Sequence, residues 1–344
     1  MQPFNRIRRA MLGFVACAAL TAPVAAQTTL TMSVWIPIQA PFAQHALLPW
    51  AKQVEELSAG RIKVNVLPKA VASPTGHFDA VRDGLADVAF TVQGYTPGRF
   101  VLTKVAELPF LGDSAESISV AYQRIHEQQL ARAGEHQGVR VLSVFTHGPG
   151  QMYSTRKPIT RLEDLQGMKM RTGGGVVNDV TNALGATAIL KAATEAYELL
   201  SSGVADGAFF ARESILTFKL SNVVRHATFV PGGLFNTSFV LLMNEAKFNA
   251  LSAADRDAVL KASGENFART AGRSFDQSDK NAVDLMRQAG MDIRTADAAF
   301  VEQMRRATAP VVDAWVADAA KKNVNGRVVL DALRAEARKL ADGR

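Results

Sequence analysis

Six histidines, a single cysteine and a few adjacent acids are the side chains of this 344-residue chain best suited to catalysis or metal binding. Metal sites need ligands at fixed short spacings, such as His-Glu-x-x-His on one helix face. His45, His77, His126, His136, His147 and His226 match no such spacing. No Gly-x-Ser-x-Gly elbow occurs that would present a nucleophilic serine. Gly173, Gly174 and Gly175 precede a helical run, but no Gly-Lys-Ser/Thr follows, so they do not make a phosphate loop. Glu55–Glu56 and Glu163–Asp164 fall on helical stretches, where solvated charge or capping is the simpler role. The residues therefore point to binding rather than turnover: no enzyme, no cofactor and no metal are expected.

The cysteine sits in a leader. Arg6, Arg8 and Arg9 precede an apolar run from Ala10 to Leu20, and small residues follow up to Ala26. That is the pattern of a secretory signal peptide over residues 1–26, and the run is too short to span a bilayer. Cys17 would leave with it, so the exported chain is expected to hold its fold without a disulfide. The net charge of +7 falls to +4 without those three arginines. The remaining Lys and Arg are dispersed and not interleaved with aromatics, which argues against nucleic acid.

Alternating apolar residues predict strands at "TLTMSVW" (29–35), "RIKVNVLP" (61–68), "ADVAFTV" (86–92) and "VRVLSVFT" (139–146). Helical runs separate them, and Gly60 and Gly84 are placed to end two of these helices. The order β-α-β-α-β-α-β predicts an α/β lobe built on a parallel sheet. After "HGPGQ" the pattern restarts, with a strand at "GMKMRT" (167–172) and another entered through "VADGAFF" (204–210). Thr160 with Glu163 reads as a capping box. "RDGLADVAF" and "SSGVADGAF" share five of nine residues in matching contexts, which predicts two lobes of similar architecture. A third block holds a strand at "TSFVLLMN" and a helical pattern from about Ala253 to Ala289, with Gly264 and Gly272 as places to bend. That helix would run on the order of 50 Å, long enough to span both lobes. We expect lobe 1 at 27–147 with a returning segment at about 236–275. Lobe 2 is expected at 148–235 with a return at about 276–303, and C-terminal helices over 304–344. Such lobes form a cleft, and ligands of parallel sheets bind beyond the carboxyl ends of the strands.

"WAKQVEELSAGRIKVNVLP", "ELPFL", "RKPITRLEDLQGMKMRT" and "AYELLSSGVADGAFF" occur in an order and spacing that resemble the DctP-type substrate-binding proteins of TRAP (tripartite ATP-independent periplasmic) transporters. The similarity covers nearly all of the chain beyond the leader. It implies a two-lobed periplasmic-binding-protein-like fold, each lobe a sheet flanked by helices, with a long helix spanning both. It also implies a periplasmic receptor that closes over an organic acid and delivers it to a small and a large integral membrane subunit.

In that family the arginine of a Lys-Ile-Arg strand holds the ligand carboxylate, and the matching residue here is Arg171. A guanidinium suits the task, because its planar fork matches a carboxylate and stays charged when water is excluded. The start of the next helix would add anion-favouring N–H groups. Many members carry a second arginine where this chain has Gly150, and Asp-Gly-Gln-Glu-Asn-Pro where it reads Asp206 to Ala211. A position that is often Phe is Ala193. One charge and two polar groups are thus replaced, and Phe209 and Phe210 have arrived. The expected ligand is a monocarboxylate with an apolar or aromatic body. Trp35 is the expected stacking wall, Gln93 a hydrogen-bonding partner, and Asn236 and Thr237 weaker contacts near a lobe crossing. The alternatives are a C4-dicarboxylate or other polar acid, a receptor that signals without transport, an exported enzyme, or an ABC-type receptor.

Overall fold

The computed structural model describes residues 27–343; the expected leader, with Cys17, lies outside them. The first sheet holds β1 (Thr28–Ser33), β2 (Ile62–Val66), β3 (Val88–Val92), β4 (Val139–Thr146) and β10 (Ser238–Asn244), in the order β2-β1-β3-β10-β4. The second holds β5 (Gln151–Ser154), β6 (Lys169–Thr172), β7 (Thr187–Leu190), β8 (Gly207–Phe210), β9 (His226–Phe229) and β11 (Asp292–Thr295), in the order β11-β9-β5-β8-β6-β7. Helices flank both sheets.

β1 runs parallel to β2 and β3, as the alternating patterns predict. β4 does not lie beside β3. The returning strand β10 inserts between them, antiparallel to both. Its seven residues are mostly buried, and no local pattern could say where such an apolar run would dock.

The two similar corners have the same geometry. Gly84 and Gly203 both take left-handed φ, +79° and +74°, which a glycine adopts without steric penalty. Asp87 N–H then donates to Thr31 O, and its carboxylate accepts from Thr31 N–H at 2.7 Å. Asp206 does the same with Lys169, its carboxylate accepting at 2.9 Å. Each aspartate thereby joins the start of one strand to its parallel neighbour, β3 to β1 and β8 to β6. The expected capping box differs: Thr160 bonds Asp164, through both its N–H and its hydroxyl, and Glu163 takes no part.

The long helix is broken. A helix over Ala253–Ala262 stops at Ser263, which is extended at φ −101° and ψ −153°, and Gly264 starts the next. The second piece, Gly264–Gln288, has 25 residues and spans about 37 Å. Its buried stripe serves both cores. Phe267 and Phe275 pack with the residues of the first sheet, Ala282 and Met286 with those of the second. Burying each phenyl ring contributes about 1.5–3 kcal/mol. Gly272 permits this placement, since a Cβ there would lie 2.3 Å from Glu116 Cα on the neighbouring helix.

Candidate functional site

Arg171 stands near the carboxyl end of β6, with Met170 buried on the opposite side of the strand. It is 2% exposed. Nε and Nη2 both donate to Lys191 O, at 3.0 and 2.6 Å, and the guanidinium lies 4.2 Å from the centroid of the Phe210 ring. Nη1 has no acceptor among the described residues. Burial lowers the Arg171 pKa from its ordinary value, opposed by the Tyr95 phenol and, more weakly, by Glu195. Glu195 is itself engaged, with Lys191 Nζ at 3.2 Å and Ala192 N–H at 3.0 Å. Among the described residues Arg171 therefore has no carboxylate partner. A buried, unpaired cation costs several kcal/mol, so an anionic partner from outside is the natural complement.

The pocket around it holds about 610 Å³ of empty space, counting the solvent at its mouth. Aromatic rings form most of its walls. Trp35, Phe42, Phe90 and Phe239 come from the side of the first sheet, Phe209, Phe210, Phe218 and Phe235 from the second, and Phe275 from the crossing helix. Trp35 stacks on Phe90 at 5.0 Å and donates Nε1–H to Phe90 O, which holds its ring as a wall. Phe42 stacks on Phe275 at 4.7 Å.

Arg171, Trp35, Phe209, Phe210 and Thr237 are thus brought to one cavity. Gln93 and Asn236 are not. Phe90 and Val92 line the cavity, so strand alternation sends Gln93 to the other side, where it bonds His136 at 2.7 Å and accepts from Tyr122 at 2.9 Å. Along the crossing segment Phe235, Thr237 and Phe239 line the cavity. Asn236 turns away and donates to His147 O at 2.9 Å. The expected anion site at the helix start is also taken. That helix, Val176–Ala183, has its first N–H bonded to Glu107 Oε2 at 2.8 Å.

Sequence reasoning missed Tyr95, Phe239 and Glu213. The period-two pattern of "FNTSF" (235–239) carries the signal for Phe239. Tyr95 and Glu213 lie in turn and helix, with no comparable signal.

The cavity holds one strong cation. Burial pushes the His147 pKa down to about 4, so its imidazole is neutral at pH 7. At Gly150 an added Cβ would sit 2.1 Å from the Phe235 ring, so a phenyl group fills the space a side chain would need.

The two lobes touch around this cavity. Tyr95 OH accepts from Ala193 N–H at 2.9 Å. Glu107 joins Val176 N–H to the Ser238 hydroxyl. A Cβ on Gly94 would lie 2.9 Å from the backbone of Gly174 and Gly175, across the seam.

Behind the cavity, Asp279 Oδ1 accepts from Glu213 N–H at 2.7 Å, while Oδ2 is buried without a partner among the described residues. Burial, helped by the charge of nearby Glu213, pushes its pKa up to about 8, against the lowering effects of the Glu213 N–H bond and of Arg212. In the unfolded chain it titrates near 3.9. The folded state thus resists its ionisation, and the contribution of Asp279 to stability falls as pH rises from about 4 through 8. Asp279→Asn should raise the melting temperature at pH 8, by the equivalent of about 1–3 kcal/mol. The gain should shrink towards pH 4, and a gain of equal size at both pH values would contradict this account.

The family described as bacterial extracellular solute-binding protein, family 7 (DctP) matches residues 34–318. The outer membrane transporter protein TsaT of Comamonas testosteroni is 30% identical over 333 residues, covering 96% of this chain and 98% of the relative. A TRAP periplasmic solute-binding protein from Bordetella bronchiseptica, solved with bound (R)- and (S)-mandelate, is 43% identical with a TM-score of 0.89, covering 91% of this chain and 99% of that one. A TRAP solute-binding protein from Rhodoferax ferrireducens T118, in complex with copurified benzoate, is 28% identical with a TM-score of 0.87, covering 92% and 99%.

Proposed function

The chain belongs to family 7 of the bacterial extracellular solute-binding proteins, the DctP family, and from that premise we propose that it is a receptor for an aromatic monocarboxylate. The observation that carries this is Arg171, a buried guanidinium without a carboxylate partner inside an aromatic box. Mandelate and benzoate, bound by the two similar structures, have the same division into one carboxylate and one ring.

The mechanism is closure over the ligand. The acid enters between the lobes, and its carboxylate takes the free side of the Arg171 fork. Its ring packs against Trp35 and the phenyl groups, which removes apolar surface from water. The lobes then meet along Gly94 and Gly174, and Tyr95 bonds Ala193. Water is excluded, and the ion pair strengthens as the local dielectric falls. The protein carries the acid without altering it. It is exported to the periplasm and hands the ligand to a small and a large membrane subunit of a TRAP transporter. No helix of the described residues is long and apolar enough to cross a membrane.

A second carboxylate would meet Phe235 at Gly150 instead of a cation, so a C4-dicarboxylate is disfavoured. A thermal-shift screen tests this directly. Benzoate and mandelate should raise the melting temperature by several degrees, since a ligand at a hundred times its Kd stabilises by about 2.7 kcal/mol. Strong shifts from succinate or malate with none from aryl acids would overturn the reading, and recovery of altered acid after incubation would make the protein an enzyme.

A further inference from the structure

One polar group lining the cavity has no role in gripping the carboxylate. Glu213 lies on the short helix Arg212–Thr217 that follows β8, and it is 8% exposed. Its oxygens are held by hydroxyls: Oε1 accepts from Ser214 at 2.8 Å and Oε2 from Thr217 at 2.7 Å. Those two residues line the same cavity. Among the described residues Glu213 forms no ion pair. Its neighbour Arg212 is stacked over the Phe229 ring at 4.6 Å instead. Among the described residues Glu213 makes no hydrogen bond with Arg171, whose Nε and Nη2 are held by Lys191 O.

Resting on the aromatic-acid reading, we propose that Glu213 with Ser214 and Thr217 forms a second polar subsite, which takes a hydroxyl on the ligand's ring. The preferred ligands are then hydroxy-substituted aryl monocarboxylates. Each Glu213 oxygen accepts one hydroxyl and keeps a second lone-pair direction. Burial raises the carboxyl pKa. The spare lone pairs of Glu213 accept from a ligand hydroxyl, and the Ser214 and Thr217 oxygens can accept as well. A bare ring edge would leave that capacity unmet in a dry site, and a site built for a hydroxyl discriminates strongly against the analogue that lacks it. A second carboxylate would meet an acid there.

The test is calorimetric titration with phenylacetate, 3-hydroxyphenylacetate and 4-hydroxyphenylacetate. The wild type should bind one hydroxy isomer at least about tenfold more tightly than phenylacetate. Glu213→Leu should erase that preference while holding phenylacetate within about threefold, and Glu213→Gln should keep part of it. Thr217→Val, which removes only one hydroxyl, serves the same comparison if Glu213→Leu does not fold. Phenylacetate binding with no gain from either hydroxyl, or a preference that survives the variants, overturns the subsite and leaves the aromatic-acid reading standing. No binding of any of the three acids overturns both.

Discussion

Arg171→Met is expected to abolish ligand binding while leaving the empty protein at least as stable as the wild type. Removing one member of a buried charge pair costs 2–5 kcal/mol or more, which is a loss of about 30- to 5,000-fold in affinity. The same change relieves the unliganded protein. Arg171 is buried without a carboxylate, and only Lys191 O takes its Nε and Nη2 protons. Exchanging an unpaired buried cation for a flexible apolar chain removes a desolvation penalty and leaves one carbonyl short of donors. The melting temperature without ligand should therefore hold or rise, and the shift on adding benzoate should vanish. Arg171→Lys should fall between, because a point charge on a flexible stem lacks the planar fork. Wild-type affinity in Arg171→Met would remove this residue from the site.

Gly94→Val should weaken binding by about 5- to 150-fold without unfolding either lobe. The first lobe reaches the seam just after β3, the second just after β6. Gly94 is not among the glycines with left-handed φ, so a side chain there brings no backbone strain. The obstacle is the backbone of Gly174 and Gly175 at 2.9 Å, which exists only when the lobes are together. Overpacking of this kind costs 1–3 kcal/mol, all of it charged to the closed form. Small-angle scattering should show the wild type contracting when benzoate is added and the variant remaining extended. Equal contraction and equal affinity in both would mean that closure does not bring these glycines together. Gly174 is the poorer choice for the test. Its φ of +78° would strain any replacement within its own loop, so an effect there would not report on the seam alone.

Much of the architecture was readable from short stretches. The Gly-x-Ala-Asp corners needed only the conformational freedom of Gly84 and Gly203 and the short carboxylates of Asp87 and Asp206. Strand alternation placed Met170 in the core and Arg171 opposite it. Two readings of the same kind went wrong at the cavity. Gln93 and Asn236 lie beside lining residues in sequence, and alternation turned both away. Their polarity suggested ligand contact, but polarity does not say which face of a strand meets the cleft.

The sequence by itself determined the local corners and the strands, which depend on sterics and hydrogen bonds within a few residues, while the family resemblance marked Arg171 at the end of β6 and Gly150 where many members carry a second arginine. Only the tertiary structure decided that β10 would part β3 from β4 and that Glu107 would occupy the helix start expected to receive an anion. It alone added Phe90 and Phe275 to the walls around Arg171. Such contacts join residues as far apart as Phe42 and Phe275, and they are set by how whole faces pack together, a sum over the chain that no short window contains.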